Sequence, residues 1–144
     1  MNNNIDLDNA EKIATIEVLC GKPLEVGQTP DGFLRVIPII GGVSKGKISG
    51  EVIPGGADWN YQKENGVAHV HARYTLRTDD GELILVNNEG YLDSNSFGNK
   101  AKTTPSFATD LKGRYGWMNY GAYAGGLEPG EAEGTVIITF YRLP

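Results

Sequence analysis

Two histidines and an arginine alternate along one short segment of the chain, at His69, His71 and Arg73. Side chains at positions i and i+2 of an extended strand lie on the same face, so these three would point the same way. Imidazole exchanges protons near neutral pH, and a guanidinium group binds anionic oxygen. The spacing therefore indicates acid–base catalysis, with His71 as a base, Arg73 stabilising negative charge on the ligand, and His69 as a further ligand contact.

The same two histidines also have the spacing of a metal chelate on a strand. A metal site needs a third ligand, which Asp58 or Glu89 could supply only if the fold brought it close. Paired histidines without a metal are the more common outcome, so we expect no metal site and no cofactor.

A second candidate site is the run Gly55-Gly56-Ala57-Asp58-Trp59, which lies between two segments typical of strands. Two glycines permit a sharp reversal of the backbone, and the polar and aromatic residues that follow are of the kind that line a pocket. We therefore expect Asp58 to be the alternative to His71 as the catalytic base, and Trp59 to contact the ligand.

A third candidate is the alternating set Tyr115, Trp117 and Asn119, which a strand would place on one face. Aromatic rings offer stacking area and the amide offers one donor and one acceptor, as a binding site for an organic molecule requires. The alternative is that Trp117 belongs to the core and Asn119 satisfies a backbone group. Because Trp59 and Trp117 are the only tryptophans and both have polar neighbours, we favour a ligand held between them.

The strand that would carry the histidines has two distinct faces. Its apolar face consists of alternate residues, namely Ala68, Val70, Ala72, Tyr74 and Leu76. The opposite, polar face holds the two histidines and Arg73. In a barrel this polar face either meets solvent or lines an interior cavity, and the alternation alone does not decide between them.

A hairpin follows this strand, because Asp-Gly in Arg77–Glu82 supplies the positive φ of a tight turn. The next predicted strand, Leu83–Leu92, then lies antiparallel beside the histidines. Glu89 would either contact the ligand there or pair with Arg73, depending on a register that the sequence leaves open.

Glycines are numerous, at 20 of 144 residues, which disfavours helices and suits hairpins and bulges. Turn residues separate eight segments typical of strands: Ile13–Cys20, Phe33–Ile40, Lys47–Ile53, Val67–Thr78, Leu83–Leu92, Ser106–Leu111, Tyr115–Ala124 and Thr135–Arg142. The pattern predicts an all-β protein with little helix, a single antiparallel β-barrel of about eight strands. Residues 1–12 form a polar N-terminal tail, and residues 13–144 form the barrel domain.

One glycine-rich segment resembles a phosphate-binding loop without meeting its requirements. Gly41–Lys47 begins like a P-loop, but Ile48 stands where Ser or Thr must reach magnesium, and a strand follows instead of a helix. We expect a glycine turn between two strands.

The composition limits the classes of partner. The formal net charge is −5, and the 13 Lys and Arg residues are scattered, so we expect no nucleic acid and no membrane as partners. Apolar runs are too short to span a bilayer, and no secretory signal is visible. Cys20 is the only cysteine, which suits a reducing compartment, and we expect it to pack as a small apolar residue. The prediction is a cytoplasmic protein.

Five motifs occur together in an order that resembles domain-of-unknown-function family 3237, also called uncharacterised protein family 0311. They are Gly27–Gly32, Pro38–Gly42, Gly50–Trp59, Arg73–Gly81 and Tyr115–Asn119. The resemblance runs from about Ile13 to the C-terminus. It implies a single small β-barrel found mainly in bacteria and fungi, with no activity established for most members.

We therefore predict a barrel that binds a small oxygenated or carboxylated organic ligand between Trp59 and Trp117. If the ligand is turned over, cofactor-free proton transfer is the expected reaction, as in an isomerase, cyclase or lyase. The alternative is a structural protein that forms a homo-oligomer through its barrel strands and has a packed interior.

Overall fold

The computed structural model describes residues 4–93 and 101–144, which form nine strands and two short 3₁₀ turns. The 3₁₀ turns are Leu7–Asn9 and Gly116–Asn119. The strands are β1 (Glu11–Cys20), β2 (Leu24–Thr29), β3 (Gly32–Lys45), β4 (Gly50–Gln62), β5 (Ala68–Thr78), β6 (Leu83–Leu92), β7 (Ala101–Ala108), β8 (Ala122–Pro129) and β9 (Thr135–Leu143). Within these residues, no helix has the length and apolarity needed to cross a membrane.

The strands form one antiparallel sheet that closes on itself. Its order is β1-β9-β8-β7-β6-β5-β4-β3-β2, and β1 also pairs with β3. The closure makes an eight-stranded barrel, with β2 as an extra strand that pairs with β3 outside the closed ring. The predicted antiparallel β-barrel of about eight strands is confirmed. Glu11 and Lys12, placed in the tail by sequence, belong to β1 and pair with β9.

Two long strands bend at glycine pairs that the sequence suggested were turns. The pairing of β3 with β4 is interrupted between Ile39 and Val43, where Gly41–Gly42 lies, and the matching interruption in β4 contains Gly55–Gly56. A Cβ on Gly42 would clash with the carbonyl oxygen of Glu17, so no side chain fits there. Both pairs are therefore bulges, which bend strands around a closing barrel.

The predicted strand Tyr115–Ala124 is a strand only in its last residues. Gly116–Asn119 forms a 3₁₀ turn, and β8 begins at Ala122. The amide of Asn119 donates to the carbonyl of Gly116 at 3.0 Å, a local side-chain bond that competes with strand pairing. A strand that the sequence did not predict, β2, also contributes to the sheet.

The two ends of the barrel differ. At the β5–β6 end, a close-packed core fills the interior with fully buried side chains, among them Phe140, Ile13, Ile48, Leu76, Ile84 and Met118. The 3₁₀ turn Gly116–Asn119 covers this end, since Met118 is 2% exposed within the core. At the β4–β5 end, the interior holds a cavity instead.

Candidate functional site

The cavity in the barrel has a volume of about 420 Å³, within the range of small-molecule sites. Alternate residues of β5 line it, namely Ala68, Val70, Ala72 and Tyr74. The apolar face of β5 is therefore the inner face, and the lining extends to Gly66 in the turn between β4 and β5. This decides the question of direction that the alternation left open.

The strand register arranges the inward-facing side chains in layers. One layer contains Asp58, Ala72 and Asn88, because Asp58 pairs with Ala72 and Ala72 pairs with Asn88. The next layer towards the β4–β5 end contains Arg35 and Asn60, which pair across β3 and β4. Ala72 is small, so the side chains on either side of it can extend into the cavity.

Asp58 lines the cavity, and its carboxyl group accepts a hydrogen bond from the backbone of the neighbouring strand β5. The backbone N–H of His71 donates to its Oδ1 at 2.8 Å, and the amide of Asn60 lies 3.5 Å from its Oδ2. Burial raises the pKa of Asp58 above its ordinary value of 3.8. The hydrogen bonds from His71 and Asn60 and the imidazoles of His71 and His69 offset part of that effect. Asp58 therefore holds a proton more tightly than an exposed aspartate.

Four buried polar atoms have no protein hydrogen-bond partner in the described part of the chain, and all four belong to residues that line this cavity. They are Arg35 Nε, the Tyr74 hydroxyl, Asn88 Oδ1 and Thr103 Oγ1. An unsatisfied buried polar atom costs about 1–3 kcal/mol. A molecule in the cavity that forms a hydrogen bond with such an atom removes this free-energy cost, so the cavity wall suits a polar ligand.

Cys20 lines the same cavity, where the sequence led us to expect a small apolar packing residue. It is a free thiol. Burial raises the pKa of this thiol, and the nearby carboxylate of Asp58 raises it further. Cys20 is thus a weak nucleophile and a natural reporter of cavity occupancy.

Five of the predicted site residues lie on the outer surface of the barrel. His69, His71 and Arg73 alternate with the lining residues of β5 and therefore point outward. Glu89 lies on the outer face of β6, and Trp59 lies on the outer face of β4 with 38% of its surface exposed. The pleat therefore places Asp58 and these five residues on opposite sides of the sheet.

The outward histidines bond to neighbours on β6. Nε2 of His69 lies 2.6 Å from Glu89 Oε2, and Nε2 of His71 lies 2.7 Å from Asn87 Oδ1. The His69 ring stacks on Tyr91 with centroids 4.4 Å apart. In the described ranges, no group of three or more His, Cys, Asp or Glu residues is arranged to hold a metal ion. These side chains thus brace the outer surface of β5 and β6.

Tyr115 and Trp117 lie at the β5–β6 end, away from the cavity. The hydroxyl of Tyr115 donates to Asp80 Oδ1 at 3.2 Å, which ties the residue to the β5–β6 hairpin. Two cations lie over the Trp117 ring, with Lys47 Nζ 5.0 Å and the Arg142 guanidinium 4.7 Å from its centroid. Both aromatic residues therefore hold the covering turn in place.

Asn119 has the structural role that the sequence offered as an alternative. Its Nδ2 lies 2.8 Å from Thr109 Oγ1 and 3.2 Å from the Thr109 carbonyl, and its Oδ1 accepts from the Thr109 N–H at 3.0 Å. Trp59 and Trp117 do not enclose a common space, because one lies on the outer wall and the other at the covered end of the barrel.

The sequence did give a signal for the cavity residues that we missed. Arg35 alternates with Phe33, Ile37 and Ile39, and Asn88 follows Ile84 and Val86 in the same alternation. A polar residue in the apolar register of a strand points inward, where it needs a partner. The alternation gave no such signal for Thr103, because the predicted strand began at Ser106 and did not include it.

The chain matches a family model described as a protein of unknown function, DUF3237, over residues 9–143. A curated relative, a UPF0311 protein from Clostridium acetobutylicum, is 32% identical in an alignment 133 residues long, and the match covers 80% of this chain and 82% of the relative.

Solved structures share the fold. A β-barrel-like protein from Acinetobacter baumannii superposes with a TM-score of 0.85 at 29% identity, covering 100% of this chain and 99% of that protein. A protein from Penicillium herquei, described as an enzyme, superposes with a TM-score of 0.78 at 19% identity, covering 100% of this chain and 98% of that protein. At that identity the second likeness concerns the fold alone.

Proposed function

The chain belongs to the DUF3237 family, and we propose that its barrel binds a small oxygenated organic molecule in the interior cavity, where Asp58 exchanges a proton with it. One observation carries the proposal. The buried side-chain atoms without a protein partner in the described residues all belong to residues that line a single cavity of about 420 Å³, and the half-buried carboxyl group of Asp58 faces the same space. Unpaired polar atoms in a packed core are costly, so their collection around one space supports a polar ligand there.

Asp58 has the properties of a general acid or base. Its Oδ1 is held by the backbone N–H of His71, whereas its Oδ2 has only a long contact with Asn60, so Oδ2 is the oxygen able to meet a ligand. A raised pKa brings the pKa of a carboxyl group closer to neutral pH, and a group whose pKa lies near the working pH can both accept and release a proton. Arg35 lies one layer away and can stabilise negative charge that develops on a ligand oxygen.

The reaction class that suits these groups is proton transfer within one substrate, as in an isomerase, cyclase or lyase. Asp58 would remove a proton from one atom of the ligand and return it to another. The Penicillium herquei protein of the same fold is described as an enzyme, which is a reason to assay turnover as well as binding. Fold alone does not assign an activity, so the proposal rests on the cavity.

A thermal-shift screen against small carboxylates, phenols and sugars tests the proposal, with alkylation of Cys20 as a report on location. A compound that enters the cavity raises the melting temperature and slows alkylation of Cys20. Asp58→Asn should alter the binding of that compound, whereas the matched change Asp79→Asn, in the exposed β5–β6 turn, should not. Compounds that stabilise the protein without protecting Cys20 would contradict an interior site.

A cytoplasmic location and a homo-oligomer are two further proposals. The cytoplasmic location agrees with the single free thiol. A homo-oligomer through barrel strands is compatible with Leu24 and Val26, each 60% exposed on β2. That alternative was expected to have a packed barrel centre, and the cavity argues against this part of it.

A further inference from the structure

The cavity wall is divided into a polar part and an apolar part. The polar side chains belong to β3, β4, β6 and β7, to Asp93 directly after β6, and to Tyr74 on β5. The wall formed by β1, β8 and β9 is apolar and consists of Val18, Leu127, Val136 and Ile138 beside Cys20. A ligand that fits both parts has a hydrocarbon body and more than one polar group.

Arg35 contributes a positive charge that has no ion-pair partner among residues 4–93 and 101–144. The ion pairs among the described residues are Lys47–Glu11, His69–Glu89, Arg77–Glu51 and Arg114–Asp80, and none of them includes Arg35. A guanidinium stays charged in proteins. Arg35 is half-buried, and its buried Nε has no hydrogen-bond acceptor among the described residues. Asp58 lines the same cavity, but no ion pair joins it to Arg35 within the described ranges.

The wall offers a hydrogen-bond donor and a hydrogen-bond acceptor on different sides of the cavity. Arg35 Nε is a donor, whereas Asn88 Oδ1 is an acceptor and needs a donor from the ligand. Arg35 lies on β3 and Asn88 on β6, three strands apart in a ring of eight, so they belong to roughly opposite walls. They also differ by one layer, which is about 7 Å along a strand. One molecule that bonds to both must carry its groups on opposite ends of a ring-sized body.

We propose that the cavity takes a hydroxylated, ring-sized organic acid, with its carboxylate at Arg35, its hydroxyl at Asn88 and its hydrocarbon body against β1, β8 and β9. This inference rests on the proposed function, because it names the ligand class of the same cavity. The carboxylate neutralises Arg35, the hydroxyl donates to Asn88 Oδ1, and the ring covers the apolar wall. Asp58 lies in the same layer as Asn88, which places a proton donor or acceptor beside the hydroxyl-bearing carbon.

Matched probes that differ in one group test the assignment. 4-Hydroxycyclohexanecarboxylate carries both groups, 4-hydroxycyclohexanecarboxamide lacks the charge, and cyclohexanecarboxylate lacks the hydroxyl. By titration calorimetry, the hydroxy acid should bind about 10- to 150-fold more tightly than its amide, the ratio that corresponds to one charge-assisted hydrogen bond. It should bind about 2- to 10-fold more tightly than the acid without the hydroxyl.

Two arginine variants test which arginine binds the carboxylate of the probe. Arg35→Met should bind the acid and the amide with equal affinity, whereas Arg73→Met, on the exposed outer face of β5, should discriminate as the unchanged protein does. If Arg35→Met does not fold, the comparison of acid and amide on the unchanged protein still decides. Equal affinity for the acid and the amide, or binding of none of the three probes, overturns the inference. Binding of neutral compounds with protection of Cys20 would overturn it while leaving the proposed function intact.

Discussion

Ala72→Leu distinguishes a cavity from a packed interior by the sign of its effect on stability. Ala72 lines the cavity between Asp58 and Asn88, so a larger side chain at this position extends into free space. The same substitution at Ala14, which is 2% exposed in the close-packed core, is the matched control. The two variants add the same atoms to opposite halves of one barrel.

The expected magnitude follows from the volume that each site offers. Leucine adds three carbon atoms, and burying each contributes about 0.8 kcal/mol, so Ala72→Leu gains up to about 2.4 kcal/mol. Ordering the longer side chain costs about 0.5–1 kcal/mol. The net expectation is an increase of about 1.5 kcal/mol in the free energy of unfolding. At Ala14 the added atoms have no room, and overpacking costs about 1–3 kcal/mol.

Urea denaturation followed by tryptophan fluorescence measures both changes, since Trp59 and Trp117 lie in different parts of the barrel. With an m-value of about 1.5–3 kcal/mol/M, Ala72→Leu should raise the midpoint by about 0.5–1 M at unchanged m, and Ala14→Leu should lower it. Ala72→Leu should also abolish ligand binding, because leucine occupies the ligand's space. If Ala72→Leu lowers the midpoint as much as Ala14→Leu does, the interior is packed and the reasoning from the cavity fails.

Three further substitutions test individual residues. Burial raises the pKa of Asp58, so the native state holds this proton more tightly than the unfolded chain does. The free energy of unfolding therefore declines as pH rises from 3.8 through the native pKa. Urea midpoints measured across pH should show Asp58→Asn more stable than the unchanged protein at pH 7, with the difference disappearing in acid. Asn119→Ala removes the hydrogen bonds to Thr109 and should lower the free energy of unfolding by about 2–4 kcal/mol with unchanged ligand affinity in calorimetry. His71→Ala should leave cavity binding within about twofold, because its backbone N–H still holds Asp58; a loss of binding as large as that of Asp58→Asn would mean that the imidazole reaches the ligand.

Much of the fold follows from local physical chemistry that the sequence carries. Alternation separated the two faces of β5, and Asp-Gly marked the β5–β6 hairpin, where Gly81 has a φ of 88°. These features depend on neighbours in sequence, because side chains alternate along every strand and a tight turn needs particular residues. The glycine pairs of β3 and β4 were misread as turns. A glycine has the same local freedom in a bulge as in a turn, and only the pairing partner distinguishes the two.

The candidate site depended on relations that no local pattern contains. Asp58 is predicted as a site residue from its type and its neighbours, but the other residues of the predicted site lie outside the barrel or at its covered end. Alternation separates a strand's faces without saying which one points inward, since the inner wall of a barrel can be apolar even around a polar ligand.

Local patterns in the chain are enough to predict an all-β protein, its antiparallel hairpins and the alternation of polar and apolar residues along β5. Which face of β5 points inward depends on the closed sheet, and so does the meeting of Arg35, Asp58, Asn88 and Thr103 from four strands. Closure of the barrel is the cause. When β1 pairs with β3, the bulged strands curve into a ring, and residues distant in sequence then share one interior. Such contacts are set by strand order and register, which are properties of the whole sheet.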